Sequence, residues 1–226
     1  MNRINAYLAH ADISCKYFNT NPNDCYLRQI FNNNTFDQGR RLYGGFWRRL
    51  MSEIRYEHIR INTDMIAECD YGQMSILLLY AEAEAQDRFP EGDLYDLTTY
   101  GIPQECRPGI KKVLQAIINS PDIPKRLPKG ARKHIPTNIS LKQILTAIEQ
   151  KHPVIYPLMN SNRGRQLFRK ESDILVDVLL TLQQYDVVAL SIHDAVLVAD
   201  EDKETAVRVM KDVFREHTGI TPEVTH

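Results

Sequence analysis

The stretch Val187-Val-Ala-Leu-Ser-Ile-His-Asp-Ala-Val-Leu-Val-Ala199 constrains this chain more than any other. Two short runs of mostly β-branched or small apolar residues, Val187–Ile192 and Ala195–Ala199, flank a His193-Asp194 step. Such runs with so tight a step read as a β-hairpin whose strands are largely buried. The step holds no Gly or Asn, the residues that usually supply positive φ in a two-residue turn. His and Asp tolerate that region better than most residues. An Asp bounded by buried strands is costly to desolvate unless a partner offsets its charge. A cation held at the hairpin tip is one such partner. A polar turn that happens to carry His-Asp is the plainer alternative.

The rest of the chain supplies helices and few strands. Residues 1–38 are rich in Asn and read as surface elements, with one short helix near Ile4–His10. Gly39-Arg-Arg-Leu-Tyr-Gly-Gly45 has the glycines of a bent, closely approached backbone. Met65–Asp70 reads as a strand ending in an acid, and Met74–Ala85 carries apolar residues at helical spacing. Asp70 therefore falls at a strand-to-helix step, where it either serves chemistry on a rigid scaffold or caps the helix. A helix over Pro108–Ser120 buries Ile110, Val113, Leu114, Ile117 and Ile118. Its other side carries Arg107 and Lys111, flanked by Lys112, a cationic stripe suited to a polyphosphate. Ser140 caps a helix over Leu141–Lys151, which His152-Pro153 ends. A long helix from Gly164 to Tyr185 precedes the hairpin, and an amphipathic helix over Lys203–His217 follows it. The order is α+β.

Composition narrows the class. The chain is 43% hydrophobic and 25% charged, ordinary for a globular protein. No apolar run approaches the ~18 residues of a membrane span, and Met1–Tyr7 holds no leader core. Cys15, Cys25, Cys69 and Cys106 lack metal or redox spacing, which points to reduced thiols and a cytoplasmic setting. A net charge of −1 gives no global argument for nucleic acid. Local charge does. Arg40, Arg41, Arg48 and Arg49 form one basic group; Lys125, Arg126, Lys129, Arg132 and Lys133 form another; Arg163, Arg165, Arg169 and Lys170 form a third. Acidic residues collect elsewhere, at 82–96 and 200–204. Read singly, each basic group is a solvated surface; together they describe a groove for nucleic acid.

The parts combine into one chemistry. Two carboxylates at a strand end and a hairpin tip, with a cationic helix between them in sequence, fit two Mg²⁺ ions bridged for phosphoryl transfer. At this point the chain resembles the palm and fingers of family A nucleic-acid polymerases, including single-subunit phage RNA polymerases. Cys69-Asp70-Tyr71-Gly72-Gln73-Met74 is similar to the first catalytic motif, usually Asp-Tyr-Ser-Gln-Ile-Glu, and Ser191-Ile192-His193-Asp194 to the last, usually Val-His-Asp-Glu. The helix bearing Arg107, Lys111 and Lys112 resembles the fingers helix, Arg41-Leu42 the Arg-Leu segment at the primer end, and Ser172-Asp173-Ile174 the Ala-Asp-Ile helix. All five stand in family order over about residues 39–200. Short phage and mobile-element relatives of the family are similar too.

The resemblance implies a small antiparallel palm sheet with a catalytic hairpin, a short fingers insertion and no full thumb. Its divisions are an N-terminal surface extension at 1–38, palm at 39–86, fingers at 87–160 and palm again at 161–226. It implies metal ligation by Asp70, Asp194 and the Tyr71 carbonyl, with Mg²⁺ as the cofactor and Mn²⁺ as an alternative. Arg107, Lys111, Lys112, Gln73 and Ser75 would bind the nucleoside triphosphate. Arg40, Arg41, His193 and the basic loop at Lys125, Arg126, Lys129, Arg132 and Lys133 would bind primer–template.

Three departures stand out. Ser75 replaces the Glu that excludes a 2′-hydroxyl, Ala195 replaces a second acid after His-Asp, and the fingers helix lacks an aromatic followed by Tyr-Gly. About forty residues precede Arg41-Leu42, so low processivity is expected unless an accessory subunit contributes. The expected setting is the cytoplasm of a bacterial host or phage-infected cell. Two other classes compete: a non-catalytic, partner-dependent nucleic-acid-binding subunit, and a metal-dependent phosphohydrolase with a His-Asp pair.

Overall fold

The computed structural model describes residues 1–31, 39–159, 161 and 164–226; the side chains at 31, 39, 40 and 165 lie outside that description. The chain divides into two compact units, Met1–Met74 with Phe168–His226, and Ser75–Leu167. Among the described residues there are eight α-helices and eight strands.

In chain order, α1 (Asn2–Leu8) buries Ile4 and Leu8, four apart on one face. Strand β1 (Ile13–Cys15) follows, then a two-stranded ribbon of β2 (Leu27–Phe31) and β3 (Gly39–Gly44). Helix α2 (Ser52–His58) runs into β4 (Ile59–Ile61). Asn62 and Thr63, with φ of 53° and 68°, turn the chain into β5 (Asp64–Tyr71). Positive φ at both central residues suits a two-residue hairpin. Next come α3 (Met74–Glu82), α4 (Arg107–Ile118), α5 (Leu141–Lys151) and the single turn α6 (Tyr156–Met159). Helix α7 (Gly164–Gln184) returns the chain to the first unit. Strands β6 (Leu190–Ile192) and β7 (Ala195–Ala199), helix α8 (Lys203–Thr218) and β8 (Val224–Thr225) complete it.

The main sheet is antiparallel, in the order β1-β4-β5-β7-β6, with β8 paired to the end of β5. Its centre is the β5–β7 pair, in register from Ile66↔Ala199 to Asp70↔Ala195. Strand β7 is buried on both faces, which is why its sequence shows no alternation. Val187–Ala189, expected as the start of the hairpin, are buried but precede β6, since β6 pairs only with Leu197–Ala195.

The first 31 residues were expected as a surface extension. Within them β1 is the edge strand of the main sheet through Ile13↔Ile61 and Cys15↔Ile59, and α1 holds β2 by a reciprocal pair of 2.8 Å hydrogen bonds between the Asn5 amide and the Leu27 backbone. Residues 32–38 lie outside the described residues. The structure divides at 74/75 and 167/168, with Tyr80 of α3 meeting His152 at the end of α5. In that unit Ser140 is the expected cap of α5, and Gln143 bonds back to it to complete a capping box. Among the described residues no helix is long and apolar enough to cross a membrane.

Candidate active site

Strand alternation decides where Asp70 points. Cys69 and Tyr71 face α8: the Tyr71 hydroxyl donates to the Met210 carbonyl at 2.6 Å, and its ring centre lies 5.2 Å from that of Phe214. Asp70 and Glu68, offset by one from Cys69 and Tyr71, occupy the opposite face. Glu68 pairs there with Arg55 at 3.1 Å. Across the sheet Asp70 is registered with Ala195, and the Tyr71 amide donates to the Asp194 carbonyl at 3.3 Å. Asp70 thus stands near the end of β5 and Asp194 in the loop just before β7, with their backbones adjacent and both residues half-buried. Ala195 sets only a methyl group beside Asp70.

The hairpin tip is held in a costly conformation. Residues Ile192 and Ala195 pair directly, leaving His193-Asp194 as the loop, with φ of 52° at His193. Gln73, beyond the other acid, has φ of 66°. A non-glycine residue there costs roughly 1–2 kcal/mol and persists only where its surroundings impose it. The imposing contact here comes from the glycines at 44 and 45, whose φ values are 97° and 74°. A Cβ on Gly44 would overlap the Tyr26 carbonyl, and one on Gly45 the Trp47 ring. This bend lets fully buried Trp47 donate through Nε1 to the Ser191 carbonyl at 2.8 Å. Arg48 donates to the same carbonyl at 3.3 Å.

Basic groups gather beside Asp194. Burial lowers the pKa of Arg48, and the Arg41 charge adds to that lowering, while Tyr43 opposes it. Partial desolvation, then the Arg48 charge, hold the His193 imidazole below its ordinary range against the pull of Asp194. Arg41, Arg48 and His193 line a small cavity together with Glu171 and Ser172 of α7. It is so small that at most about one water fits in it. Glu171 is 6% exposed, and burial pushes its carboxyl up to about 7, with Arg41 opposing and Asp194 reinforcing. Sequence reading did not single out Glu171. Its signal was an acid within the apolar stripe of α7, four residues after Leu167 and three before Ile174. The side chain of Arg40 lies outside the described residues.

In the second unit, the Arg107 guanidinium is engaged by Asp93 through Nε, and through a second nitrogen at 3.1 Å. Burial pushes the Asp93 carboxyl up, but these bonds and the Tyr95 amide leave it below its usual range. Arg107 and Lys111 also lie 5.3 and 5.8 Å from the Tyr95 ring centre. Lys111 and Lys112 are exposed, as are Lys125, Arg126, Lys129, Arg132 and Lys133. The start of α4 packs tightly on the loop carrying those cations, since a Cβ on Gly109 would lie 2.6 Å from Ile135. Lys112 reaches to 3.9 Å from a Cβ placed on Gly130 of the same loop. The unit therefore joins the expected phosphate stripe to the basic loop, while Arg107 already has an acidic partner. Ser75, half-buried, is the second residue of α3.

Among the described residues no group of three or more His, Cys, Asp or Glu is placed to hold a metal. The donor set nevertheless suits Mg²⁺, a hard cation commonly held by one or two carboxylates with substrate oxygens completing its shell. No protein-family model matches the chain, and no curated protein sequence matches it. Among solved structures it is similar to the POL domain of Pol1 from M. smegmatis, solved in complex with DNA primer–template and dNTP. The TM-score is 0.50 at 12% identity, over 82% of this chain and 44% of that one. The chain thus spans less than half the length of that polymerase domain, and what the two share is the architecture: an α+β, palm-type fold built on an antiparallel sheet.

Proposed function

We propose that the chain is a polymerase-type nucleotidyltransferase, extending a nucleic-acid 3′ end from nucleoside triphosphates. The observation that carries this reading is the pairing of β5 with β7 in a palm-type sheet, which sets the hairpin loop bearing Asp194 beside the strand end bearing Asp70. In the reaction the terminal hydroxyl oxygen bonds to the α-phosphorus, the bond to pyrophosphate breaks, and the hydroxyl proton leaves to solvent. Divalent metal, when bound, supplies Lewis-acid stabilisation to the attacking and leaving oxygens. Asp70, Asp194 and the Tyr71 carbonyl would hold it. The Tyr71 ring, locked against Phe214, stiffens the strand that presents Asp70. Arg41 and Arg48 give the hairpin tip a positive flank suited to a strand phosphate, with the His193 ring beside them. Lys111, Lys112 and the basic loop offer phosphate ligands, and Arg107 would have to exchange Asp93 for phosphate to join them.

Ala195, where a second acid would follow His-Asp, favours a second reading, a nucleic-acid-binding subunit without catalysis. The phosphohydrolase reading draws no support from His193-Asp194, which lies on a β-hairpin. Primer extension with Mg²⁺ or Mn²⁺ separates these. Wild type should add nucleotides and Asp194→Asn should add none while keeping its circular dichroism spectrum. Equal extension by both would refute the assignment of Asp194. Duplex binding without extension by wild type would favour the non-catalytic subunit.

A further inference from the structure

Arg41 is held by two residues of α7 one helical turn apart. Its guanidinium carbon lies 3.7 Å above the centre of the Phe168 ring, and a guanidinium nitrogen lies 3.7 Å from the Glu171 carboxylate. The ring face fixes the plane of the cation, and the carboxylate fixes its rotation within that plane. At that distance the ion pair is not a bidentate hydrogen-bonded fork, so the donor edge is not used up. Nε is buried and has no hydrogen-bond partner, while the side chain as a whole remains 42% exposed, so its outer nitrogens face outward for a ligand. The β2–β3 ribbon is tied to the same turn of α7, because Gln29, opposite Leu42, donates to Ser172 Oγ at 3.4 Å.

Such a hold has a thermodynamic use. A free arginine loses rotamer freedom worth roughly 2 kcal/mol when a ligand fixes it. An arginine already fixed in the empty protein avoids most of that loss on binding. Glu171 is costly for folding, since it is a carboxylate buried in an apolar helix stripe. Its position suits Arg41 better than it suits α7.

We propose that Glu171 and Phe168 are positioning residues that preset the Arg41 guanidinium to grip an oxygen acceptor on the nucleic-acid strand held beside Asp70 and Asp194. This rests on the polymerase reading for the ligand, though not for the clamp itself. The position of Arg41 toward the primer end follows the family resemblance; the α7 clamp is a property of this chain.

Two measurements at pH 8 test it. The first is a double-mutant cycle on binding of a DNA primer–template duplex, read by fluorescence anisotropy without metal. Arg41→Ala should weaken binding about tenfold, the scale of one charge-assisted contact. Glu171→Gln and Phe168→Leu should each weaken it several-fold, and Glu171→Gln should have no further effect in the Arg41→Ala background. Independent effects that multiply would overturn the proposal. The second measurement is the Arg41 Nε–Hε signal by ¹⁵N NMR, assigned by its loss in Arg41→Ala. It should be as ordered as the backbone in wild type and mobile in Glu171→Gln; unchanged order in that variant would remove Glu171 from the role. A wild type that binds no duplex would overturn the polymerase reading and the ligand named here, while the NMR signal still decides the clamp. Trp47, the single tryptophan and fully buried, monitors the fold of each variant by fluorescence.

Discussion

Glu171 separates stability from function at a single residue. Its carboxyl titrates near 7 in the folded chain against an ordinary value of 4.5, so the folded state binds the proton more tightly. Its contribution to stability is therefore fully present below about 4.5 and is lost as pH rises through about 7. Glu171→Gln, which mimics the protonated acid, should raise the denaturation midpoint at pH 8 by up to about 3 kcal/mol in ΔG and barely change it at pH 4. Urea melts followed by Trp47 fluorescence measure this, and an equal gain at both pH values would contradict the titration. A second residue-scale prediction concerns Ser75, where the resemblance places the side chain that meets the sugar. A Glu there excludes a 2′-hydroxyl, whereas tolerating one extra group in a roomy pocket changes selectivity by only ~1–3 kcal/mol. Single-nucleotide incorporation should show weak discrimination between ribo- and deoxyribonucleoside triphosphates, and Ser75→Glu should shift it strongly toward deoxy. Rejection of ribonucleotides by several orders of magnitude in wild type would contradict this.

The hairpin shows what an element adds to its residues. His193 has φ of 52° within the turn, and Trp47 and Arg48 hold the preceding carbonyl. A glycine adopts that φ without strain, at the expense of a more flexible unfolded chain. His193→Gly should therefore leave the thermal midpoint within a few degrees of wild type, yet lower primer–template affinity by removing a ring from the cationic flank. A large loss of stability would mean the imidazole packs structurally. Much of this element was legible beforehand: two apolar runs bounding a two-residue step specify a hairpin, and Asp194 falls at its tip. The Ser140 cap and the stripe of α7 were equally plain, because helix signals are local. Strands β1 and β8 were not legible. Three- and two-residue edge strands have no periodicity of their own and exist through partners 44 and more positions away, as in Cys15↔Ile59 and Asp70↔Thr225. Trp47 reads as one aromatic among arginines until the bend at Gly44 and Gly45 carries it to Ser191. Glu171 had a signal, an acid in a buried stripe, but its partner is 130 residues away.

At the scale of the whole chain, the second unit is inserted into the first, and the two rely on buried ionisable groups of opposite behaviour. In the second unit His152 is fully buried. Its Nε2 lies 2.9 Å from the Leu94 carbonyl and its Nδ1 2.9 Å from the Tyr80 hydroxyl. The neutral ring can donate to the carbonyl and accept from Tyr80, so all three are satisfied. Lys151, next in sequence, donates to the Asp93 and Asp96 carbonyls, so one helix end organises the whole loop of residues 93–96. Burial holds the imidazole down at about 4, with the Leu94 bond opposing and the Lys151 charge reinforcing. The folded value lies below the ordinary 6.5, so this stability is present above about 6.5 and is lost as pH falls toward about 4. The loss is of order 3 kcal/mol, a sizeable share of the stability of a unit this size. Glu171 works in the reverse sense in the first unit over much of the same range. Hydrogen exchange by mass spectrometry, corrected for intrinsic rates, should show protection in α3 and α5 falling between pH 6.5 and 4.5. Protection in β5 and β7 should hold or rise. His152→Asn, which keeps a donor and an acceptor but does not titrate, should flatten the first trend and leave the second untouched. Parallel loss of protection in both units as pH falls would show that neither buried group governs its own unit.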